Sequence, residues 1–354
     1  MNLPESKTVK TILKPAAFFY GIGASLKMQL YDQKILTPTK LSAPVISVGN
    51  ITVGGTGKTP VTIDIAQKLE KAGHKVGILS RGYKRRSQES HVVVSDGTEI
   101  FVSCEEAGDE PYLMALSCPG AVVISGSSRI DTGKLAIEKF GCDVIVLDDG
   151  YQHVKLERDR NLVLIDYSDN LEEESVLPAG RLREPLSGLG RATDLIITKL
   201  PEAPDELHLS RIRRLVQEAS GESKNEITTC LCRFIPRKLR SLFEELDFES
   251  LRGTKVMTLT GIARPETFIS TIESLNLNLT IADSMAFEDH HWFTATDLET
   301  IEARLAASKA DFILTTEKDL VRLNMKEEIA RRTFALVLGT QWLSAPPSFE
   351  ELWS

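Results

Sequence analysis

The chain has few cysteines, and their spacing argues against two kinds of site. Its 354 residues include five cysteines, an odd number, and no two of them have C-x-x-C spacing. A disulfide framework or a structural zinc site needs paired or closely spaced cysteines. The cysteines therefore predict buried free thiols in a reducing compartment.

A surplus of basic residues is also absent. Lysine and arginine number 42 against 50 aspartates and glutamates, which gives a formal net charge of −8. This balance argues against a protein that binds nucleic acid, which usually carries a dominant basic surface. The 42% hydrophobic and 26% charged content is that of an ordinary globular protein. The length allows two domains, at roughly 100–200 residues each.

The first 40 residues contain no apolar run long enough to cross a bilayer. The uncharged run that begins at Pro15 stops before Lys27, so it has twelve residues, whereas a membrane span needs about 20. No small-residue cleavage site follows it, so a signal peptide is not favoured.

The same region is basic and amphipathic. It carries six lysines against two acidic residues, and its apolar residues recur on one helical face. These residues are Ile12, Ala16, Phe19, Tyr20, Gly23, Leu26 and Leu30. The pattern fits either a helix on an anionic membrane surface or a helix that docks on the protein's own core.

A glycine-rich loop is the most specific local pattern in the chain. It follows the apolar run at 45–48, precedes a stretch with helical spacing, and reads Gly54-Gly55-Thr56-Gly57-Lys58-Thr59. Strand, loop and helix in this order predict a cradle for nucleotide phosphates. Backbone N–H groups and the helix start would bind phosphate oxygens, Lys58 adds a charge, and Thr59 offers a hydroxyl to Mg²⁺. The general pattern expects glycine where this chain has Thr52, and the alternative is a turn without a ligand.

Short apolar runs and helical stretches alternate in the following 140 residues. The runs are continuously hydrophobic, which is typical of a parallel sheet covered on both faces. They are Val76–Leu79, Ala121–Ile124, Val144–Leu147, Leu162–Ile165 and Leu195–Thr198. The segment from His91 to Val102 predicts a hairpin around Ser95-Asp96-Gly97.

A second α/β unit is expected in the last 100 residues. Its predicted strands are Lys255–Thr260, Thr280–Ala282, Phe312–Thr315 and Phe334–Val337, with helices that start near Pro265, Thr294 and Thr316. The glycine-lysine loop does not recur there, so one nucleotide site is expected.

The fold class is therefore α/β, with a mostly parallel sheet of the P-loop NTPase type and a second, smaller α/β domain. We expect four segments: an amphipathic helix region at 1–40, a nucleotide-binding domain at 41–225, a linker at 226–253, and the smaller domain at 254–354.

Two motifs follow predicted strands, where ligands of parallel sheets bind. The sequence Asp148-Asp149-Gly150-Tyr151-Gln152-His153 follows one strand and offers a carboxylate for a metal beside the phosphate loop. The sequence Ser80-Arg81-Gly82-Tyr83-Lys84 follows another. Arg81 is a candidate phosphate contact, and Tyr83 a candidate contact for a ring or hydroxyl. The alternatives are an Asp-Asp-Gly turn and a basic solvent loop.

Three further motifs carry candidate catalytic residues. In Gly108-Asp109-Glu110-Pro111, one acid suits a general base and the other a metal contact, unless they only cap a helix. Arg129 follows a predicted strand and is a candidate for stabilising a transferring phosphoryl group. In Asp289-His290-His291 the adjacent histidines do not suit a zinc site. They predict either a surface loop or a histidine that reaches across a domain cleft to a catalytic aspartate.

Two other function classes have weaker support. A guanine-nucleotide switch usually carries [NT]-K-x-D, and Thr198-Lys199-Leu200-Pro201 lacks its aspartate. A membrane adaptor without activity would not need Asp109, Asp148 and Asp149 at one crevice.

In this order the motifs resemble those of the tetraacyldisaccharide 4′-kinases of lipid A synthesis, over essentially the whole chain. The matching segments are VGNITVGGTGKTP at 48–60, SRGYK at 80–84, GDEP at 108–111, DDGYQH at 148–153, LPAGRLRE at 177–184, the aspartate-histidine pair at 289–290, and TEKD at 316–319. The family shares the glycine-poor start of the loop.

The resemblance implies a kinase that uses ATP and Mg²⁺. It would phosphorylate the 4′-hydroxyl of a tetraacylated glucosamine disaccharide 1-phosphate and form lipid IVA. It implies that Asp109 is the base and His290 its partner. The implied phosphate and metal ligands are Lys58, Thr59, Asp148 and Glu110. Asp149 and Arg129 match catalytic positions, and Arg81, Tyr83, Gln152 and His153 match substrate-binding positions.

The resemblance also implies a location and partners. Family members work as peripheral proteins at the cytoplasmic face of the bacterial inner membrane, which favours the membrane interpretation of the N-terminal helix. The expected partners are the lipid substrate and the membrane surface, with no nucleic acid and no obligate protein partner.

Overall fold

The computed structural model describes residues 7–32, 35–221, 227–262 and 264–353. Residues 1–6 of the predicted N-terminal helix region and residues 222–226 at the predicted domain boundary lie outside these ranges. The α-helices are α1 Lys7–Asp32, α2 Lys58–Lys71, α3 Cys104–Ala107, α4 Asp109–Ser117, α5 Arg129–Phe140, α6 Glu206–Ser220, α7 Pro265–Glu273, α8 Ala295–Ser308, α9 Glu317–Leu320 and α10 Glu327–Ala330. Short 3₁₀ helices lie at Leu171–Glu173, Leu186–Arg191, Phe248–Leu251 and Glu350–Trp353.

The strands of the described residues join into one sheet. They are β1 Val45–Gly49, β2 Val76–Ser80, β3 His91–Asp96, β4 Val122–Gly126, β5 Val144–Asp148, β6 Arg160–Asp166, β7 Asp194–Thr198, β8 Thr228–Arg240, β9 Glu245–Leu246, β10 Lys255–Thr260, β11 Thr280–Ala286, β12 Phe312–Thr316 and β13 Thr333–Trp342. Their order is β11-β10-β12-β13-β8-β7-β6-β1-β5-β2-β4-β3, with β9 beside β8. Most neighbours run parallel, so the predicted α/β class with a mostly parallel sheet is confirmed.

The predicted strands and helix starts agree well with this sheet. The five apolar runs of the first 200 residues became β2, β4, β5, β6 and β7, and α7, α8 and α9 begin where the sequence predicts. We call β1–β7 with their helices the N-terminal half and β10–β13 with α7–α10 the C-terminal half.

Helices cover both faces of the N-terminal half. On one face, Ile65 of α2 and Met114 of α4 belong to the same buried cluster as Ile46 of β1. On the other face, Ala136 of α5 packs in a cluster with Val45 of β1. Each fully buried aliphatic side chain contributes about 1.5–3 kcal/mol. Burial on both faces explains why these strands are continuously apolar rather than alternating.

The expected linker at 226–253 contains regular secondary structure. Residues 228–240 form β8, the longest described strand, which pairs in two directions. Its first part runs parallel to β7 from Thr228 to Leu231, and its second part runs antiparallel to β13 from Cys232 to Arg240. The sequence did not predict this strand because its neighbours bury it unevenly, so its polar and apolar residues follow no regular pattern. The two halves therefore share one sheet.

The predicted hairpin at 91–102 is also wrong in its second arm. β3 ends at Asp96, and a single bridge joins Ser95 to Ile100. The partner of β3 is β4, which lies antiparallel to it. Ser95-Asp96-Gly97 does form the turn, and the Asp96 carboxylate accepts the N–H of Thr98 at 2.9 Å.

Helix α1 contacts the rest of the protein through a narrow edge. Ala17 and Gly21 are buried, and the side chain of Val176 lies against Gly21. The face predicted from the apolar spacing points elsewhere, since Ile12 and Phe19 are 71% and 72% exposed. The helix therefore does not dock on the core by its predicted face. Within the described ranges, no helix combines the length and the apolar character that a membrane span needs.

Candidate active site

Three parallel strands bring the sequence motifs to one edge of the sheet. β5 lies between β1 and β2, so the segments after Gly49, Ser80 and Asp148 leave the sheet side by side. The buried Asp148 carboxylate accepts hydrogen bonds from Ser80 Oγ at 3.1 Å and from Thr62 Oγ1 at 3.4 Å. The carboxyl edge of such a sheet is the usual ligand crevice. The phosphate loop, the Ser80–Lys84 segment and Asp148 therefore meet in one crevice.

The phosphate loop turns sharply into α2, and this turn requires glycine. Gly57 has a φ of 85°, and a Cβ atom there would lie 2.2 Å from the ring of Phe234 in β8. Gly54 has a φ of 122°, while a Cβ on Gly55 would meet no atom within 4 Å. α2 begins directly after Gly57. The N–H groups of its first turn, which have no intrahelical acceptor, therefore lie where phosphate oxygens can bind.

Lys58 points its ammonium group toward the strand ends. Its Nζ lies 3.4 Å from Asn50 Oδ1 and 3.7 Å from Asp149 Oδ1. Burial lowers the pKa of Lys58, although the Asp149 carboxylate opposes this shift. The loop is anchored from the other side, since Thr198 Oγ1 donates a hydrogen bond of 2.9 Å to the carbonyl of Thr56. Thr59, the next residue of α2, is also buried.

Asp149 lies between two cations of the N-terminal half. Arg183 Nη1 donates to both of its carboxylate oxygens at 2.8 Å, and Lys58 approaches from the loop. Burial would raise the pKa of Asp149, but Lys58 and Arg183 together hold it below its ordinary value. The backbone has a φ of 51° at this residue, a left-handed conformation that aspartate adopts more readily than most residues.

The LPAGRLRE segment supplies contacts that the sequence reasoning did not assign. Gln152 Nε2 donates to Glu184 Oε1 at 2.8 Å and to the carbonyl of Asn50 at 2.7 Å. Arg183, from the same segment, holds Asp149 and accepts at its carbonyl the hydroxyl of Tyr20 in α1 at 3.0 Å. The available signal was the charged Arg-x-Arg-Glu run inside a motif already quoted for the resemblance.

Asp109 meets His290 across the boundary between the two halves. His290 Nδ1 lies 2.8 Å from Asp109 Oδ2, and the N–H of Glu110 donates to Asp109 Oδ1 at 2.9 Å. Burial alone would raise the pKa of Asp109, but the hydrogen bond from His290 and the charge of Lys318 hold it below its ordinary value. The carboxylate is therefore ionised at neutral pH. Asp109 is the first residue of α4, but its carboxylate does more than cap the helix, because it also binds His290.

Glu110 has its own partner from the C-terminal half. Lys318 Nζ donates to Glu110 Oε1 at 2.6 Å. Burial would lower the pKa of Lys318, but the carboxylates of Glu110 and Asp109 raise it above its ordinary value. Lys318 belongs to the TEKD segment, and the sequence reasoning assigned it no role.

The two adjacent histidines have different surroundings. The ring of Tyr83, which is 57% exposed, meets His290 edge-on at 6.0 Å. His291 instead contacts its own half, with Nε2 at 3.0 Å from Asp297 Oδ2 and its ring stacked on Phe287. The side chain at 290 therefore reaches the cleft, and the one at 291 stabilises the loop.

The remaining predicted site residues lie around the same edge of the sheet, but they do not form one hydrogen-bonded group. Arg129 is buried, and its Nη1 donates to the carbonyl of Gly126. Burial lowers the pKa of Arg129 to about 10, against the opposing charges of Asp148 and Asp149. Arg81 is exposed, and its charge also acts on Arg129. His153 lies in the turn after β5, where its N–H donates to the carbonyl of Gly150 at 2.9 Å.

The charge around Asp148 fits a divalent cation. Burial, and then the carboxylates of Glu110 and Asp149, raise the pKa of Asp148 to about 7. Within the described part of the chain, no three His, Cys, Asp or Glu side chains are grouped as a metal cage. Mg²⁺ usually takes one or two protein oxygens together with waters and phosphates. The Asp148 carboxylate and the Thr59 hydroxyl are oxygen donors of the kind that such a site would use.

A cavity of about 540 Å³ separates the two halves beside the phosphate loop. Its N-terminal wall includes Thr59 of α2 and Leu113 of α4, and its opposite wall includes Phe268 of α7 and Lys318 of α9. Arg240 lies in β8 between them. Asp109, Asp148 and His290 do not line this cavity, which instead borders the contact between Lys318 and Glu110 through Lys318.

Known proteins match this chain over both halves. The family model described as tetraacyldisaccharide-1-P 4′-kinase matches residues 9–352. A protein named tetraacyldisaccharide 4′-kinase from Pelobacter propionicus is 39% identical over 94% of this chain and 88% of its own length. One of the same name from Halothermothrix orenii is 36% identical over 95% and 89%. The crystal structure of LpxK from Aquifex aeolicus in complex with ATP has a TM-score of 0.75 and 33% identity, and the match covers 94% of this chain and 95% of that one.

Proposed function

Since this chain belongs to the tetraacyldisaccharide-1-P 4′-kinase family, we propose that its Asp109–His290 pair is the catalytic centre of the kinase reaction. The enzyme transfers the γ-phosphoryl group of ATP to the 4′-hydroxyl of tetraacyldisaccharide 1-phosphate in lipid A synthesis, with Mg²⁺ as the partner ion. The observation that carries the proposed site is the 2.8 Å contact between His290 and Asp109 across the boundary between the two halves.

Asp109 accepts the proton of the 4′-hydroxyl. Its pKa lies below the ordinary value, so it is ionised when the hydroxyl arrives. His290 holds Oδ2 from one side through Nδ1, and the N–H of Glu110 holds Oδ1. The freed alcohol oxygen then bonds to the γ-phosphorus while the bond to the bridging oxygen of ADP breaks. A positioned base of this kind contributes about 10²–10⁴-fold to the rate.

The N-terminal half binds the triphosphate. The N–H groups of residues 54–59 and the Lys58 ammonium bind phosphate oxygens, while Arg129 and Asp149 lie at the same edge. Thr59 and Asp148 would hold the metal, with Glu110 beside them. When bound, Mg²⁺ neutralises charge that develops on the phosphate oxygens. Arg81, Tyr83, Gln152 and His153 border the substrate, with the Gln152 amide already engaged by Glu184.

The two halves divide the work. Residues 41–225 act as the nucleotide-binding kinase domain, and residues 254–354 act as a smaller domain that supplies His290 and Lys318. Residues 226–253, which include β8, join them. The 2.6 Å contact of Lys318 with Glu110 supports this division, because both acids of the GDEP segment take partners from the other half.

The protein works as a peripheral protein at the cytoplasmic face of the inner membrane. The support is the exposed apolar side of α1, where Ile12, Phe18 and Phe19 are accessible while Ala17 faces the protein. Such a helix binds an anionic surface through its apolar side and its lysines. The acceptor is largely acyl chain, so an enzyme at the lipid surface meets it without extracting it far into water.

A direct assay tests the function. Purified protein receives γ-labelled ATP, Mg²⁺ and the lipid disaccharide 1-phosphate in mixed micelles, and the lipids are separated. We expect a new labelled lipid that carries one additional phosphate at the 4′ position. Label released only as free phosphate, at the same rate with and without lipid, would contradict the kinase function.

A further inference from the structure

We propose that Arg322 is a positioning residue that, together with Asp319, holds the turn carrying His290 against Asp109. The proposal rests on the role given above to the Asp109–His290 pair. It assigns a task to Asp319, the last residue of the TEKD segment, which has no role in the proposed nucleotide and metal sites.

The turn that carries His290 needs external support. His290 has a φ of 59°, a left-handed conformation that is strained for a residue other than glycine. Its N–H donates to the carbonyl of Gly261 at 3.2 Å, directly after β10. A Cβ on Gly261 would lie 2.9 Å from Asp319 Oδ1 and 3.3 Å from the carbonyl of Glu288, so the packing there is close. A strained conformation persists when its surroundings determine it more than once.

Arg322 binds the carbonyl of His291, the residue after His290, and the carbonyl of Gly261, which also accepts the N–H of His290. Its Nη1 donates to the carbonyl of His291 at 3.1 Å, and its Nη2 donates to the carbonyl of Gly261 at 3.5 Å. Its Nε donates to the carbonyl of Lys318 at 2.9 Å, which ties the guanidinium to α9. The planar guanidinium group of one side chain therefore joins the turn at 288–291 to α9, the helix after β12.

Asp319 completes this arrangement from the other side. It accepts Arg322 Nη2 at 2.6 Å, the N–H of Gly261 at 3.0 Å and the hydroxyl of Thr316 at 2.6 Å. The sequence explains the local structure, because Thr316 caps α9 and takes the N–H of Asp319 at 3.2 Å. The cap fixes the aspartate at a position from which it reaches the turn.

Stabilisation of the fold alone does not explain why the Arg322–Asp319 ion pair is so deeply buried. The side chains are 1% and 0% exposed. Removing two charges from water is costly, so a buried ion pair by itself is weak evidence for stability. A planar guanidinium with several fixed donors is well suited to hold one geometry. Arg322 Nε also lies 3.9 Å from Asp109 Oδ2, so the pair borders the catalytic acid.

A double-mutant cycle tests the proposal. Arg322→Lys keeps the charge, but one ammonium group cannot hold two carbonyls and a carboxylate in the same plane. We expect kcat to fall by about 10- to 100-fold, as for a small misplacement of a catalytic group, with KM for ATP within about twofold. In a His290→Ala background the same change should cost less than about threefold, because the group that Arg322 positions is gone. Arg304→Lys, in a more exposed ion pair with Asp283 in the same half, is the control for the arginine-to-lysine change and should leave kcat unchanged.

Each other outcome decides against the proposal in a distinguishable way. Equal losses in both backgrounds would make Arg322 a structural or directly electrostatic residue. If His290→Ala itself left kcat unchanged, the proposed catalytic centre would fail together with this inference. If Arg322→Lys did not fold, Asp319→Asn carries the same cycle, since its amide oxygen can still accept from Thr316 and Gly261. Failure of both variants to fold would show that the pair determines the fold and would overturn the positioning role.

Discussion

The active site contains two pairs of adjacent acids, and they find their partners in different ways. Asp149, beside Asp148, is held by Lys58 and Arg183 from its own half. Asp109 and Glu110 are held by His290 and Lys318 from the other half. The first pair is therefore assembled by the N-terminal half alone, and the second is complete only when the two halves meet. In the function proposed above, binding of the nucleotide and activation of the acceptor are therefore separate structural tasks.

The largest effect should come from a change at Asp109, the proposed base of the pair that joins the two halves. Asp109→Asn keeps the shape but loses the proton acceptor, so kcat should fall by about 10²–10⁴-fold, with little change in ATP affinity. Steady-state kinetics and an ATP-binding titration measure the two quantities. Asp143→Asn on the exposed surface is the control. A loss of ATP affinity without a loss of kcat would move Asp109 to the binding group and remove the contrast between the pairs.

Lys58→Ala should affect the other task. The phosphate charges lose their buried partner, so kcat should fall by about 10²–10³-fold, and ATP affinity should fall as well. Lys71→Ala, an exposed residue in the last turn of the same helix, is the control. Near-normal turnover together with normal ATP binding would exclude the loop as the phosphate site.

Lys318→Met should have an intermediate effect. The Glu110 carboxylate loses its partner across the cleft, and kcat should fall by about tenfold, as expected for a residue that orients another. Lys326→Met removes an exposed lysine that pairs with Glu302 in the same half, and serves as the control. Equal activity of the two variants would mean that the contact between Lys318 and Glu110 has no catalytic consequence.

Removing residues 1–26 should separate location from chemistry. Both acid pairs retain their partners, so kcat in detergent micelles should stay within about threefold, because the helix contributes mainly buried apolar area at the lipid surface. Flotation with vesicles that contain anionic lipid should show the protein moving from the lipid fraction to the soluble one. Unchanged flotation would locate the membrane contact elsewhere on the protein.

The smallest effect should follow His291→Ala. Its ring contacts Asp297 and Phe287 within its own half, so kcat should remain within about twofold, while the melting temperature falls slightly through loss of a surface contact. Calorimetry and the kinase assay measure both. A loss of activity as large as that of His290→Ala would show that the two adjacent histidines act as one unit.

The parts of this protein that could be predicted from the sequence are those whose structure depends on residues close together in the chain. Five of the six described strands between residues 76 and 198 are continuously apolar because both faces are buried, and that pattern is readable within four or five residues. β8 was missed because its burial alternates irregularly along residues 228–240, as its partner changes from β7 to β13. No short window carries that information.

The candidate site divides along the same line. Asp148, Asp149 and the phosphate loop follow adjacent strands, so their proximity could be inferred from the rule for parallel sheets. Arg183, Lys318 and Arg322 were not assigned, because an arginine or lysine outside a strand end looks like any solvated cation. Their partners lie 34, 208 and 3 residues away, respectively. For Arg322 the missing information was burial rather than distance along the chain.

By itself, the sequence determined that the chain forms a mostly parallel α/β sheet, and it predicted the phosphate loop, the acids and the histidine of the proposed site. These features depend on the conformational preferences of neighbouring residues and on the short-range spacing of apolar residues along the chain. Only the tertiary structure decided which face of α1 remains exposed, that β8 joins the halves into one sheet, and that Arg183 and Lys318 hold Asp149 and Glu110. Those outcomes depend on how buried surfaces and charges from distant segments compensate one another, and such energies exist only once the segments are packed together.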